Sequence, residues 1–275
     1  MLGRLRMSID ECIEAFKTIS EIVFKNNPSS FSRVMGGVLG RPFFDAALLE
    51  GAVKDILTTR GLGEDAKFCE EEDANCKVFV SATRAQSVHA VLLRSYTTWV
   101  ASEENYDCFI WEAARATSAA PLFFESTKLE ASSATFVDGG LHLNNPITEV
   151  INEAESLWPG APHKSIVSIG TGWIDVKGLD VSQLKCHNVV KTCIDLALNS
   201  NKEAQKFIRG NKGKDLAEAG IYHRFDVDRG IETVSLDQWQ KMDEVDAFTQ
   251  AYLARNGTLL EKCARSLCNR ESARG

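Results

Sequence analysis

The run TFVDGGLHLNNP, from Thr135 to Pro146, ends a β-branched and aromatic segment on an acid followed by two glycines. An acid so placed has two uses. Asp138 can cap the sharp turn that Gly139 and Gly140 permit, since glycine reaches backbone conformations closed to other residues. It can also accept a proton from a reacting hydroxyl. A carboxylate with an ordinary pKa near ~3.9 is a poor base for that task, so this second use needs partial desolvation and close approach to the partner. An Asp-Gly-Gly alone is a common turn, and the choice depends on its surroundings. Nearby, His142 invites a catalytic-triad reading, while Asn144 and Asn145 have the residue type that caps a following helix.

The elements that must position Asp138 follow from periodicity. Ser8, with Glu11 three residues on, opens a capping box, and Ile9, Cys12, Ile13, Phe16, Ile19 and Val23 then share one helical face. A second helix is expected from Asp45 to Thr59, closed by Gly61. The acidic run 64–75 reads as a solvated loop. Residues 77–83 and 88–96 read as strands, 109–120 as a helix stopped by Pro121, and LFFES (122–126) and TFVD (135–138) as short strands. A helix over 145–158, with Pro146 in its first turn, leads to the strand KSIVSIGTG (164–172). An amphipathic helix or helix pair then covers 181–208, before the strand 221–227 and two final helices around 236–243 and 243–268. Strands alternating with helices argue for an α/β protein whose sheet is covered on both faces.

Composition narrows the function. Of 275 residues, 44% are hydrophobic and 25% charged, which suits a globular chain with a sizeable core. The formal charge of −7, with scattered Lys and Arg, argues against a nucleic-acid partner. The eight cysteines form no C-x-x-C pair and no zinc-like cluster with histidine, so they read as reduced thiols of a cytoplasmic protein. The sequence shows neither a run long enough to span a bilayer nor the pattern of a signal peptide.

Three segments together, ARATSAAPLFF (114–124), FVDGGLHLNNP (136–146) and VSIGTG (167–172), resemble the patatin-like phospholipase family in order, spacing and residue type. The likeness extends to YHRFDV and LDQWQKMDEVDAFTQAYL, which look like the end of a fungal-type patatin domain. It implies a three-layer α/β/α fold with a mostly parallel central sheet, occupying 1–268 as one domain with a tail at 269–275. It also implies a lipid acyl hydrolase in which the serine of a G-x-S-x-G elbow is activated by the Asp of a D-G-[AG] motif. Matched here, Asp138 becomes the proton acceptor of a Ser-Asp dyad, with Gly139 and Gly140 completing the motif. A dyad leaves no general-base role for His142, requires no cofactor and no metal, and makes Gly170-Thr171-Gly172 a strand-to-loop turn. Arg115 and Ser118 lie in the matched motif, where a packing or hydrogen-bonding role is expected at least as readily as a catalytic one. The implied partner is an acyl lipid or phospholipid, met by peripheral contact with a membrane.

The nucleophile itself is missing. No serine sits in G-x-S-x-G, no G-G-G-x-R-G loop occurs, and the glycine cluster VMGGVLG (34–40) contains no serine. By the resemblance, Met1 falls just beyond the family's elbow, so the expectation is a domain incomplete at its N-terminus that carries only the Asp half of the dyad. Such a chain is expected to be inactive alone, and to expose strand edges and apolar helix faces that favour association. The alternative is a catalytically silent patatin-like domain that binds lipid or protein, or serves as a regulatory module.

Overall fold

The computed structural model describes residues 1–26, 41–70, 76–98, 105–173, 200–232 and 234–268. The glycine cluster at 34–40, most of the amphipathic run 181–208 and the tail 269–275 lie outside the described residues. The chain divides into two compact units, one running to Leu143 and taking back Leu236–Gln240, the other beginning at Asn144.

The first unit opens with α1 (Leu2–Leu5) and α2 (Ile9–Phe24). The capping box of α2 is present in both directions. Glu11 N–H donates to Ser8 Oγ at 3.2 Å, and Ser8 N–H donates to the Glu11 carboxylate at 2.7 Å. Its apolar face is covered only in part: Val23 and Ile19 pack with Phe44 and Phe124, whereas Ile9, Ile13 and Phe16 stay exposed. Helix α3 (Ala46–Thr59) packs on α2, with Asp45 Oδ1 accepting from Ala47 N–H and Gly61 following at φ +71°. The acidic run beyond it is less solvated than its composition suggests, because Phe68 is buried and Glu70 pairs with Arg4 and Arg6.

Strands β1 (Phe79–Arg84), β2 (His89–Arg94), β3 (Thr127–Lys128) and β4 (Thr135–Asp138) form one sheet in the order β2-β1-β4-β3. Helix α4 (Ile110–Thr117) packs across β1, β3 and β4. Every pairing in this sheet is antiparallel, in contrast to the mostly parallel sheet expected. For the β1–β2 pair the reason is connection length. Only residues 85–88 separate β1 from β2, and Val88 N–H closes that hairpin on Arg84 C=O at 2.8 Å, while a parallel pair needs a crossover of a dozen or more residues. The core beneath contains Leu57, Phe68, Leu93, Leu129 and Phe136, and Tyr106 meets Phe136 edge-on with ring centroids 5.5 Å apart.

LFFES, expected as a strand, is a turn instead. Leu122 has φ +70°, and the N–H groups of Phe123 and Phe124 both bond Ala120 C=O. The two phenylalanines are drawn into a cluster with Phe24, Phe43 and Phe44, and the backbone of 43–44 donates to the carbonyls of Leu122 and Phe123. Packing against three aromatic neighbours outweighs the local strand propensity.

The short helix α5 (Gly140–Leu143) closes the first unit, and the second unit opens with its main helix, α6 (Ile147–Leu157). After α6 come β5 (Ile166–Ile169), α7 (Ser200–Arg209), α8 (Asn211–Glu218) and β6 (Tyr222–Phe225). Here the long connection allows parallel pairing, and β5 and β6 run in register from Ile166↔Tyr222 to Ile169↔Phe225. Ile147, Ile151, Tyr222 and Phe207 form the core of this unit. The final helices divide later than expected: α9 (Met242–Arg255) and α10 (Gly257–Cys268) meet at Asn256, whose side chain bonds Tyr252 C=O, and only a 3₁₀ turn occupies Trp239–Lys241. Among the described residues no helix is long and apolar enough to cross a membrane.

Phe136 has no exposed surface and sits two strand positions before Asp138. Phe136→Ala is expected to cost about 3–5 kcal/mol of stability. Urea unfolding followed by far-UV circular dichroism reads that loss directly.

Candidate active site

Asp138 is the last residue of β4, and each of its polar groups has a different neighbour. Ala85 N–H bonds Thr135 C=O, and the alternation of an antiparallel ladder then makes Thr83↔Val137 a bonded pair and Ala82↔Asp138 an unbonded one. The Asp138 N–H is thereby turned away from β1, and it donates to Ala119 C=O at 3.0 Å. This single bond joins the ARATSAAP segment to the Asp-Gly-Gly segment. The Asp138 carbonyl accepts from Thr83 Oγ1 at 3.0 Å. Oδ1 of the carboxylate accepts from Gly140 N–H at 2.6 Å, and among the described residues none donates to Oδ2.

The glycines have separate tasks. Gly139 is buried hard against β1, where a Cβ would overlap the carbonyl and hydroxyl of Ser81. Gly140 supplies the N–H that meets the carboxylate and begins α5. The turn and the acid therefore form one device, in which the backbone aims the carboxylate and then bonds one of its oxygens. Burial pushes the Asp138 carboxyl above its ordinary value, and the Gly140 N–H opposes that rise without cancelling it. A raised carboxyl is a stronger base, which is the condition that proton acceptance from a hydroxyl demands.

Among the described residues His142 makes no hydrogen bond to the carboxylate. Its exposed ring lies on α5, with Nδ1 3.3 Å from Thr83 Oγ1. Asn145, expected as a helix cap, instead donates from Nδ2 to Ser200 C=O at 3.3 Å, and α6 starts on Pro146 without a side-chain cap. The difference arises because Asn145 is buried, where its amide is committed to a distant carbonyl.

Arg115 is buried within α4, donates from Nη2 to Glu125 C=O at 3.2 Å, and lies 6.0 Å from the Phe124 ring centroid. Burial lowers its guanidinium below the ordinary value, while the Glu50 and Glu125 carboxylates act in the opposite sense. Its work is to hold the turn after Pro121, in keeping with the structural role expected of it. Ser118 ends α4 and its carbonyl accepts from Ala120 N–H at 2.8 Å. Glu112, unremarked in the sequence, is fully buried and accepts from the N–H groups of Phe109 and Glu130, pinning α4 to the segment between β3 and β4.

Gly170-Thr171-Gly172 is a strand-to-loop turn of the second unit. Gly170 N–H continues the β5–β6 ladder to Phe225 C=O, and Gly172, at φ +101°, donates to Asp226 Oδ1 at 2.8 Å. Asp226 is paired with Arg224 at 2.7 Å, and Arg224 also donates to Ser168 Oγ and Ser200 Oγ. The turn is thus anchored by a buried ion pair. Among the described residues no group of His, Cys, Asp and Glu could hold a metal ion.

Sequence reasoning missed Thr83, Ser81 and Ala119. Thr83 and Ser81 sit in a strand of ordinary core composition that only the pairing of β1 with β4 brings to Asp138, while Ala119, within the matched ARATSAAP segment, is joined to it by the Asp138 N–H bond.

Comparison with known proteins points the same way. A sequence model of the patatin-like phospholipase family matches residues 4–151. Calcium-independent phospholipase A2-gamma of Rattus norvegicus is 29% identical over 278 aligned residues, covering 97% of this chain and 34% of that protein. The Homo sapiens protein of the same name is 28% identical over the same shares, 97% and 34%. Phospholipase A I of Arabidopsis thaliana is 37% identical over 68 residues, 25% of this chain and 5% of that protein. The chain spans about a third of the length of the calcium-independent relatives it matches.

The raised carboxyl has a measurable consequence for stability. An acid that titrates higher in the folded state favours folding when protonated, and that advantage is lost as pH rises from the unfolded value, near 3.8, through the folded one. At pH 7 the ionised Asp138 is therefore a liability. Asp138→Asn, which keeps an acceptor for Gly140 N–H, is expected to raise the denaturation midpoint at pH 7, with the gain shrinking to nothing below the unfolded value. A variant less stable than its parent at neutral pH contradicts the desolvated carboxylate.

Proposed function

The chain belongs to the patatin-like phospholipase family, and from that premise we propose that it is the acid-bearing part of a lipid acyl hydrolase, with Asp138 as the base of a Ser-Asp dyad. The observation that carries this reading is the state of the carboxylate. One oxygen is fixed by Gly140 N–H, the other has no donor among the described residues, and burial raises the group toward useful basicity. In the reaction, the second carboxylate oxygen takes the proton of a serine hydroxyl as the serine oxygen attacks the ester carbonyl, and the carboxyl returns that proton to the alcohol oxygen as the ester C–O bond breaks and the alcohol leaves. A water then attacks the acyl-serine and gives its proton to the same carboxylate, which passes it to the serine oxygen as the acyl–oxygen bond breaks and the fatty acid is released. Neither step calls for a cofactor or a metal ion.

The serine is not among these residues, since none lies in G-x-S-x-G. We place it in a segment outside this sequence that brings its own oxyanion donors. The phospholipase names of the relatives support an acyl phospholipid as the substrate class, reached by peripheral contact with a membrane. The alternative, a silent lipid- or protein-binding domain, is favoured by the same missing serine, and the two readings separate by experiment.

The 275-residue chain is expected to hydrolyse no fluorogenic ester above background and to take no fluorophosphonate label. Specific labelling of a serine in the folded chain would sink the assignment of the nucleophile to another segment. Joined to a segment that carries a G-x-S-x-G elbow and a glycine-rich loop, the protein should hydrolyse phospholipid. There Asp138→Ala should lower kcat by on the order of 10⁴-fold or more with the fold retained. Binding of phospholipid vesicles without hydrolysis by the joined protein decides for the silent domain.

A further inference from the structure

Among the described residues, backbone contacts hold Asp138 and its turn on three sides. Its N–H goes to Ala119 C=O, its Oδ1 receives Gly140 N–H, and Gly139 is wedged against the Ser81 peptide. A side chain adds a further contact. Thr83, only 1% exposed, donates its hydroxyl to the Asp138 carbonyl from the neighbouring strand, and the same oxygen lies 3.3 Å from His142 Nδ1. We propose that Thr83 is a positioning residue for Asp138: its hydroxyl holds the Asp138 peptide at the end of β4 so that Gly140 N–H stays on Oδ1 and Oδ2 is the oxygen without a donor among the described residues. The inference rests on the reading of Asp138 as the base, and it adds a residue that neither the family match nor the motif identifies.

The proton count makes it specific. A threonine hydroxyl has one proton, and here that proton is spent on the Asp138 carbonyl. Toward His142 the same oxygen can then only accept, so the neutral imidazole must carry its proton on Nδ1 and leave Nε2 bare. If the hydroxyl instead donated to an unprotonated Nδ1, the Asp138 carbonyl would lose its donor. That carbonyl belongs to an unbonded pair of the β1–β4 ladder, so β1 backbone offers no replacement. The tautomer of an exposed histidine therefore reports which way the buried hydroxyl points.

Three forms of the full chain test this: the parent, Thr83→Ser and Thr83→Val. In the parent, long-range proton–nitrogen correlation NMR at a pH where His142 is neutral is expected to show the Nδ1–H tautomer. An Nε2–H tautomer overturns the proposal, and this readout needs no variant to fold. Thr83→Ser should retain that tautomer, and Thr83→Val should lose it. The Asp138 carboxyl, followed by carbon-13 NMR, then separates positioning from simple loosening. If Thr83 keeps Gly140 N–H on Oδ1, its loss in Thr83→Val removes a bond to the charged form, and the carboxyl should titrate higher by roughly half a pH unit or more. Loosening that merely admits water would lower it instead, and an unchanged or lowered value overturns the proposal. Amide exchange at Gly140 should quicken about tenfold in the same variant and stay near the parent rate in Thr83→Ser. None of these readouts requires turnover, so failure of the Asp138→Ala test in the joined enzyme would refute the base without touching them.

Discussion

The hydrogen bond from Asp138 N–H to Ala119 C=O is the constraint around which the first unit is arranged. It exists because the antiparallel ladder turns the amide of Asp138 away from β1, leaving a donor at the end of β4 that must find a partner. The partner is the carbonyl two residues beyond α4, so the end of the helix and the end of the strand are held at one point. Glu112 pins the other end of α4 through the Phe109 and Glu130 amides, and Arg115 holds the turn that follows it. A helix fixed at both ends by buried polar contacts gives the acid a rigid support.

That rigidity has an electrostatic purpose. Asp138 is a partly buried carboxylate with one bonded oxygen, and burial raises its pKa. Structural carboxylates in the same chain are treated differently. Asp226 meets Arg224, Gly172 N–H and the polar surroundings of the second unit, and Glu112 has two backbone donors. Both are satisfied and serve as anchors. Asp138 alone among these three keeps an oxygen without a donor among the described residues, a small cost in stability that makes chemical sense at a site meant to receive a proton.

The helices and strands were largely legible from local rules. The capping box at Ser8, the helix from Asp45 and the strands around Phe79, His89 and Thr135 all rest on spacing within a few residues, and the structure has them. The departures share a cause. LFFES became a turn because Phe123 and Phe124 pack with phenylalanines some eighty residues away or more, and Asn145 left its capping role for the carbonyl of Ser200. Strand direction also escaped the reading, since it depends on which segments pair.

By itself the sequence identified Asp138, Gly139 and Gly140 as one motif, because glycine's freedom and the acid's chemistry are properties of residue type. It could not show that Gly139 lies against Ser81, that Ala119 takes the Asp138 amide, or that Thr83 holds its carbonyl. Those partners come from β1 and from the end of α4, distant in the chain and ordinary in composition. Only the tertiary structure, by setting the register of β1 against β4, decided which backbone groups of Asp138 were free, and desolvation by the same packing decided how strongly its carboxylate holds a proton.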